Sequence, residues 1–246
     1  MKHMLTISTR VLEQLRQDKR FFILMLVAPF IVMYFLKIFM DTLSAEFPVE
    51  RYVVPIGAFL VFFFAFLLCM LVLVRERITG TLERMFINGS TRIDIMSGYA
   101  LGYVVIATLV AILILALLIM LFGLNYTIYQ LAGLFGVMWI LSVVSIFLGV
   151  FISTFAKTES QVIPFIPLLT VPSIFLSGLL VDTEALPTWA QWVARSLPLS
   201  YANKAISQLI STTPDWAIVF KQLGWLALFV VILLLLSSLT FKEVQE

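Results

Sequence analysis

Residues 53–74 read VVPIGAFLVFFFAFLLCMLVLV, and residues 75–84 read RERITGTLER. The first stretch holds 22 residues without a charge; the next ten hold five charged side chains. An apolar run of about 20 residues covers the roughly 30 Å of hydrocarbon in a bilayer, and the sudden charges mark where the chain leaves it. In lipid the backbone must satisfy its own hydrogen bonds, so such a run is a helix or part of a closed barrel. A barrel strand would alternate apolar and polar residues. The run Phe62-Phe63-Phe64 does not alternate, so the segment is predicted to be a membrane-spanning helix.

Five more stretches of the same kind lie on either side of it: 21–40, 100–122, 131–155, 161–181 and 218–239. The whole chain of 246 residues is 62% hydrophobic and 12% charged, whereas a soluble domain carries about a quarter charged residues. This composition excludes a soluble enzyme and a disordered chain. A net charge of +2 is too small to draw in nucleic acid. The lone Cys69 forms no internal disulfide, and the lone His3 leaves no cluster for a metal or a histidine base. The expected fold is therefore an all-α integral membrane protein, one domain over residues 1–246 with six transmembrane helices.

Cations set the orientation. Lys2, Arg10, Arg16, Lys19, Arg20, Arg75, Arg77, Arg84, Arg92, Lys157 and Lys242 fall on one side of the six-span plan, against Lys37, Arg51, Arg195, Lys204 and Lys221 on the other. The positive-inside rule then places both termini and the 75–99 loop in the cytoplasm of a plasma membrane. Twenty residues precede the first apolar run, without the short apolar core and small-residue site of a cleavable signal. Within this arm (1–20), Leu5, Val11, Leu12 and Leu15, followed by Phe22, recur at near-helical spacing, which predicts an amphipathic helix on the inner membrane surface. The alternative is a solvated arm whose cations only fix topology.

The 75–99 loop is longer than a connection requires. Glu76, Glu83 and Asp94 interleave with its arginines, and Leu82, Met85 and Phe86 supply an apolar side. Glu76 and Glu83, seven apart, would share one helix face. Asn88-Gly89-Ser90 is a turn signal that ends such a helix. The residues predict a short amphipathic helix across the cytoplasmic mouth, with plain headgroup anchoring as the other reading.

Here the sequence resembles a known family. Arg75-Glu76-Arg77, followed after two residues by Gly80-Thr81-Leu82-Glu83-Arg84, is similar to the signature of the ABC-2 permeases, the membrane subunits of ATP-binding-cassette exporters; Met85 stands where leucine is usual. A second stretch matches in order: Phe175-Leu176-Ser177-Gly178, Leu186-Pro187-x-Trp189 and Leu197-Pro198-x-x-Tyr201. The resemblance implies that Arg75, Glu76, Arg77, Gly80, Thr81, Leu82, Glu83 and Arg84 form a coupling helix docked on an ATPase subunit. It also implies two ATPase copies, a second permease copy as a homodimer, and a central path for a hydrophobic, amphipathic or lipid-linked cargo. ATP and Mg would serve that partner, and this chain would bind no cofactor itself. In agreement, no phosphate-cradling G-x-x-x-x-G-K-[ST] occurs in it.

With the second span at a dimer interface, as in the family, Phe59, Phe63 and Phe66 are expected along the path, with Pro167, Phe175 and Ser177 of the fifth span. Pro164, Pro167 and Pro172 predict a bent or partly unwound segment there. The 182–217 loop carries Trp189, Trp192, Tyr201 and Trp216, residues that prefer the headgroup level. Family members have two short re-entrant helices at this point, and Pro187 and Pro198 suit their first turns. Pro187, Trp189, Pro198 and Tyr201 are then an outer gate or an interfacial aromatic belt. Lys37, near the end of the first span, snorkels to the outer surface or touches cargo. Gly98-x-x-x-Gly102 allows close helix packing.

Two other functions fit these residues less well. An ion-coupled carrier or channel keeps acids or histidines inside its spans, whereas none of the fourteen acids falls inside one. An intramembrane enzyme needs a nucleophile with a base, or metal ligands, and Ser173 and Ser177 have neither near them in sequence. The ATP-driven permease subunit is the leading reading, with the carrier or channel as its alternative.

Overall fold

A computed structural model describes residues 2–17, 19–43, 47–87, 89–156 and 158–240. Lys157, Lys242 and Asn88, used above for topology and for the turn, lie outside the described residues. The chain forms α1 (Lys2–Gln17), α2 (Lys19–Asp41), α3 (Val49–Ile78), α4 (Thr81–Ile87), α5 (Arg92–Phe122), α6 (Ile128–Ser153), α7 (Glu159–Val162), α8 (Phe165–Leu176), a 3-10 turn (Thr183–Ala185), α9 (Thr188–Arg195), α10 (Pro198–Leu209) and α11 (Trp216–Thr240). No strand occurs among the described residues. Among the described residues, four helices, α3, α5, α6 and α11, are long and apolar enough to cross a membrane.

The central contact is α3 on α6. At Gly149 of α6 a Cβ atom would lie 2.8 Å from the Phe66 carbonyl oxygen and 3.1 Å from the Met70 nitrogen, so only hydrogen there lets the two backbones approach. Close approach of this kind drives packing where burial against lipid gives helices no advantage. The Ser145 hydroxyl donates to the Phe62 carbonyl across the same seam. Helix α5 packs on α3 and α6, and α2 packs on α5. By contrast α11 exposes Phe220, Trp225, Val231, Leu235 and Leu239, a face suited to lipid.

Helix ends follow local chemistry. Thr91 accepts from the Asp94 amide and the Asp94 carboxylate accepts from the Thr91 amide, a capping box that starts α5. Thr127 and Gln130 start α6 in the same way. Gln130 also donates to the Leu209 carbonyl at 2.9 Å, satisfying one of the free carbonyls at the end of α10.

The fifth expected span is broken where its prolines predict a bend or unwinding. Residues 161–181 do not form one helix: α7 ends at Val162, α8 begins at Phe165, and the helix stops at Leu176. Pro164 and Pro167 lack the amide hydrogens that a continuous helix would use, so the chain restarts at Pro164, and Pro167 sits in the first turn, where that loss costs little. Twelve residues span about 18 Å at 1.5 Å each, short of a bilayer. At the other proline positions the sequence reading and the structure coincide. Pro187 flanks α9 and Pro198 opens α10.

Two ends of the bundle can now be distinguished. At one lie α1, α4, the last turn of α3 and the end of α6. At the other lie α9, the start of α3 and the loop between α5 and α6. Arg51 meets Asp182 at 2.7 Å at this second end. Nearby, the Tyr126 hydroxyl donates to Glu50 at 3.2 Å; burial and the Glu50 charge push the Tyr126 phenol well above its ordinary pKa. Lys37 pairs with Asp41 one turn on and lies 6.0 Å from the centre of the Phe122 ring. Its ammonium is thus directed toward the helix end, as snorkelling requires.

Candidate coupling site

The stretch Arg75–Arg84 does not form one helix. Helix α3 runs on to Ile78, the chain turns at Thr79-Gly80, and α4 starts at Thr81. Gly80 has φ of 68°, a left-handed conformation that glycine adopts without steric cost. The Thr79 hydroxyl donates to the Arg75 carbonyl at 3.1 Å and lies 3.0 Å from the Thr81 hydroxyl, tying the turn together. The expectation that Glu76 and Glu83 share a helix face is therefore overturned, because a glycine turn separates their helices. The side chains of Leu82, Glu83 and Phe86 lie outside the described residues.

Glu76 points into the protein. It is only 4% exposed and accepts from Arg10 at 3.4 Å and from Gln14 at 3.2 Å. Both donors stand on α1, 62 and 66 positions away in sequence. A buried carboxylate is costly unless paired and hydrogen-bonded, so Glu76 ties α1 to the last turn of α3. Arg77 turns another way: its guanidinium donates to the Thr154 carbonyl at 3.2 Å. Thr154 caps the C-terminal end of α6, where free carbonyls and the helix dipole favour a cation. Arg75 and Arg84 are exposed. Of the eight expected coupling residues, two thus hold the permease together, Gly80 and Thr81 shape the turn, and two arginines face outward.

Glycines bring α1 close. A Cβ at Gly98 would lie 2.7 Å from the Ile7 Cβ and 3.0 Å from the Met4 carbonyl oxygen, and one at Gly102 would lie 2.8 Å from Val11. The Gly98-x-x-x-Gly102 pair is thus the seat of α1 on α5. This revises the amphipathic arm: Ile7 and Val11 are buried against protein, while Leu5 is 56% exposed. The side chains of Leu15 and Phe22 lie outside the described residues.

The expected cargo path is divided. Phe59 and Phe63 stack at 6.0 Å on α3 and are half-buried. Phe66 is fully buried with Met70, Val74, Ile152 and Val162, so it belongs to the core of this chain and not to a path wall. Pro167 and Phe175 are exposed on α8. Ser177 is buried, and its hydroxyl accepts from the Asn203 amide at 3.0 Å; it joins the end of α8 to α10 and borders a cavity at the α9 end. Among the gate residues, Pro187 and Trp189 are exposed on α9, and Pro198 is buried at the head of α10. The Tyr201 hydroxyl donates to the Arg195 carbonyl at 2.8 Å, and its ring lies 5.5 Å from Phe229 and 5.9 Å from Trp225.

Sequence reasoning missed Arg10, Gln14, Thr154 and Asn203. A signal for the first two existed. Ile7, Arg10, Val11 and Gln14 follow the i, i+3, i+4, i+7 rule of a single helix face, so two polar groups bordering an apolar stripe required a polar partner. No such pattern reveals Asn203 or the Thr154 carbonyl.

Comparison with known proteins agrees with this architecture. The family model for ABC-2 type transporters matches residues 2–211. ABC transporter G family member 20 of Dictyostelium discoideum is 29% identical over 169 residues, covering 66% of this chain and 23% of that protein. The probable multidrug ABC transporter permease YbhR of Escherichia coli K12 is 26% identical over 149 residues, covering 61% of this chain and 40% of the relative. The chain thus spans less than half the length of these curated relatives. With a match that takes in α1, the glycine turn and α10, the chain belongs to the ABC-2 type transporter family.

Proposed function

We propose that the protein is the membrane subunit of an ATP-driven exporter, with six spans, both termini in the cytoplasm of the plasma membrane, and a second copy of itself across a central path. A separate ATPase, present in two copies and using ATP and Mg, drives it, and a hydrophobic, amphipathic or lipid-linked molecule is the cargo. In this arrangement α2 and the α7–α8 segment provide the two spans beyond the four long helices.

The observation that carries the reading is the pairing of buried Glu76 with Arg10 and Gln14 beside the Gly80 turn. A push on α4 reaches α3 across only two residues, and α3 is bound there to α1 through Glu76 and to α6 through Arg77. The ATPase stroke is thereby shared among several helices instead of bending one loop. The named relatives include a multidrug permease, in keeping with an amphipathic cargo.

Coexpression with a candidate ATPase tests the reading. ATP hydrolysis and transport are measured together in lipid nanodiscs and in vesicles. Glu83→Lys is expected to leave insertion intact and to separate hydrolysis from transport, lowering transport about tenfold or more at near-normal hydrolysis, since one charge reversed at a docked surface costs about 1.4 kcal/mol or more. Normal transport by this variant rejects the coupling role of α4.

A further inference from the structure

Two adjoining cavities open at the α9 end, and nothing described so far uses them. One, about 420 Å³, is lined by residues that include Asp182, Glu184, Asn203, Lys204 and Gln222. The other, about 360 Å³, is lined by Glu184, Arg195, Ser200, Lys204, Lys221 and Gln222 among others. Glu184, Lys204 and Gln222 line both, so they are two lobes around one set of side chains. The first lobe has two carboxylates and one ammonium. The second has three cations and one carboxylate. Charge is therefore graded across the pair, which fits a ligand with a positive and a negative end.

Buried polar atoms agree with that polarity. Among the described residues, three buried side-chain atoms lack a hydrogen-bond partner: Ser200 Oγ, Asn203 Oδ1 and Ser237 Oγ. Two of the three belong to residues lining these lobes. The orientation of Asn203 is fixed, because its Nδ2 donates to the Ser177 carbonyl at 3.2 Å, which leaves the buried Oδ1 as an acceptor without a donor on a residue that borders the acidic lobe. Ser200 brings an unused hydroxyl donor to the basic lobe. Leaving a buried polar atom unpaired is costly, and two residues that carry such atoms border this one pair of lobes. An ammonium would meet the acceptor, and an anionic oxygen the donor and the cations.

Aromatic residues flank the lobes. Trp225 lines the second, and exposed Trp192 lies 4.8 Å from the Arg195 guanidinium. Tryptophans of this kind settle at the headgroup level, so the lobes stand where lipid headgroups are found.

We infer that these lobes bind a zwitterionic phosphate–primary amine group, the amine against Glu184 and Asn203 and the phosphate against Lys204, Lys221 and Arg195. The inference concerns binding alone and stands whether or not the chain exports anything. Its failure is therefore separable from failure of the transport reading.

Native mass spectrometry of the full chain, with any subunits that co-purify, tests this by titration with phosphatidylethanolamine, phosphatidylcholine and phosphatidylglycerol of matched acyl chains. Phosphatidylethanolamine is expected to bind about tenfold more tightly than the other two, because the trimethylated head cannot donate hydrogen bonds and the glycerol head carries no cation. Lys204→Gln with Lys221→Gln is expected to lower its affinity about tenfold. Glu184→Gln is expected to remove the preference over phosphatidylglycerol. Soluble phosphoethanolamine that competes shows that the head group alone is recognised, and lipid binding that persists in its presence assigns the site to the membrane lipid; each supports the inference. Equal affinity of the unaltered protein for all three lipids overturns it, as does unchanged affinity in folded variants. Because the lipid comparison uses the unaltered chain, a variant that fails to fold does not protect the idea.

Discussion

The two ends of the bundle treat charge in opposite ways. At the α1–α4 end, Arg75 and Arg84 face outward, but two charged groups turn to specific partners: Glu76 is buried under Arg10 and Gln14, and Arg77 seats on the carbonyl that ends α6. At the α9 end they line open lobes or pair in solvent, as Arg51 does with Asp182. A buried pair depends on geometry and fails sharply when one partner is removed; an exposed pair contributes little. The first end therefore holds its helices in register, and the second leaves its groups available. Sequence alone showed more cations at the first end than at the second, and only the structure shows which charged groups are buried.

The sharpest way to break this contrast is to unseat α1. Gly98→Leu places a branched side chain where Ile7 and the Met4 carbonyl already lie within 3.0 Å. Overpacking of this kind costs about 1–3 kcal/mol, and here the cost falls on docking of a terminal helix. Trypsin is expected to cut the arm at Arg10 and Arg16 severalfold faster while the span helices remain protected. Gly136→Ala is the control, since a Cβ there meets nothing within 4 Å; it is expected to leave cleavage unchanged and to raise thermal stability slightly through helix propensity. Unchanged cleavage in the Gly98 variant shows that α1 is held by something other than this seat.

Next in size is the pairing of Glu76 with Arg10. Glu76→Ala leaves the Gln14 amide and the Arg10 guanidinium without their acceptor. Arg10 has 43% of its side chain exposed and regains water, which moderates the loss. About 1–2 kcal/mol is expected, read as a lower unfolding midpoint and faster cleavage of α1. A double-mutant cycle with Arg10→Ala is expected to return a coupling near 1 kcal/mol. A coupling of zero means that Glu76 is held by its other partners, Gln14 and the Tyr99 side chain, and the comparison between the two ends then rests on Arg77.

Much of the fold was legible because apolar length and helix-end chemistry are local. The run at 53–74 became the core of α3, and the prolines at 187 and 198 mark the starts of α9 and α10. What escaped was decided by contacts distant in sequence. The resemblance places Glu76 in a coupling helix docked on an ATPase, whereas partners on a helix some sixty positions earlier make its burial tolerable. Phe66 lies in the same apolar run as Phe59 and Phe63, yet the close approach permitted by Gly149 encloses it. The 161–181 segment is apolar enough for a span, but its prolines count against a continuous helix, and composition and proline placement point in opposite directions there. Of the 75–84 segment, the motif was visible in the sequence, but the turn at Gly80 that divides it between two helices was not.

The smallest effect belongs to the other end. Arg51 and Asp182 meet at 2.7 Å with 55% and 71% of their side chains exposed. Water and salt screen such a pair, and holding two flexible side chains in place offsets part of the attraction. Arg51→Ala is therefore expected to shift stability by no more than about 0.5 kcal/mol, and the shift should vanish at high salt. Asp182 also lines the first lobe, so removing Arg51 leaves that carboxylate without its countercharge and the acidic lobe more negative. The variant is thus expected to bind the amine end of a ligand slightly better while its unfolding midpoint hardly moves. A large loss of stability instead would mean that this pair fastens the 177–184 segment to α3, and the α9 end would have to be regarded as locked in the same manner as the α4 end.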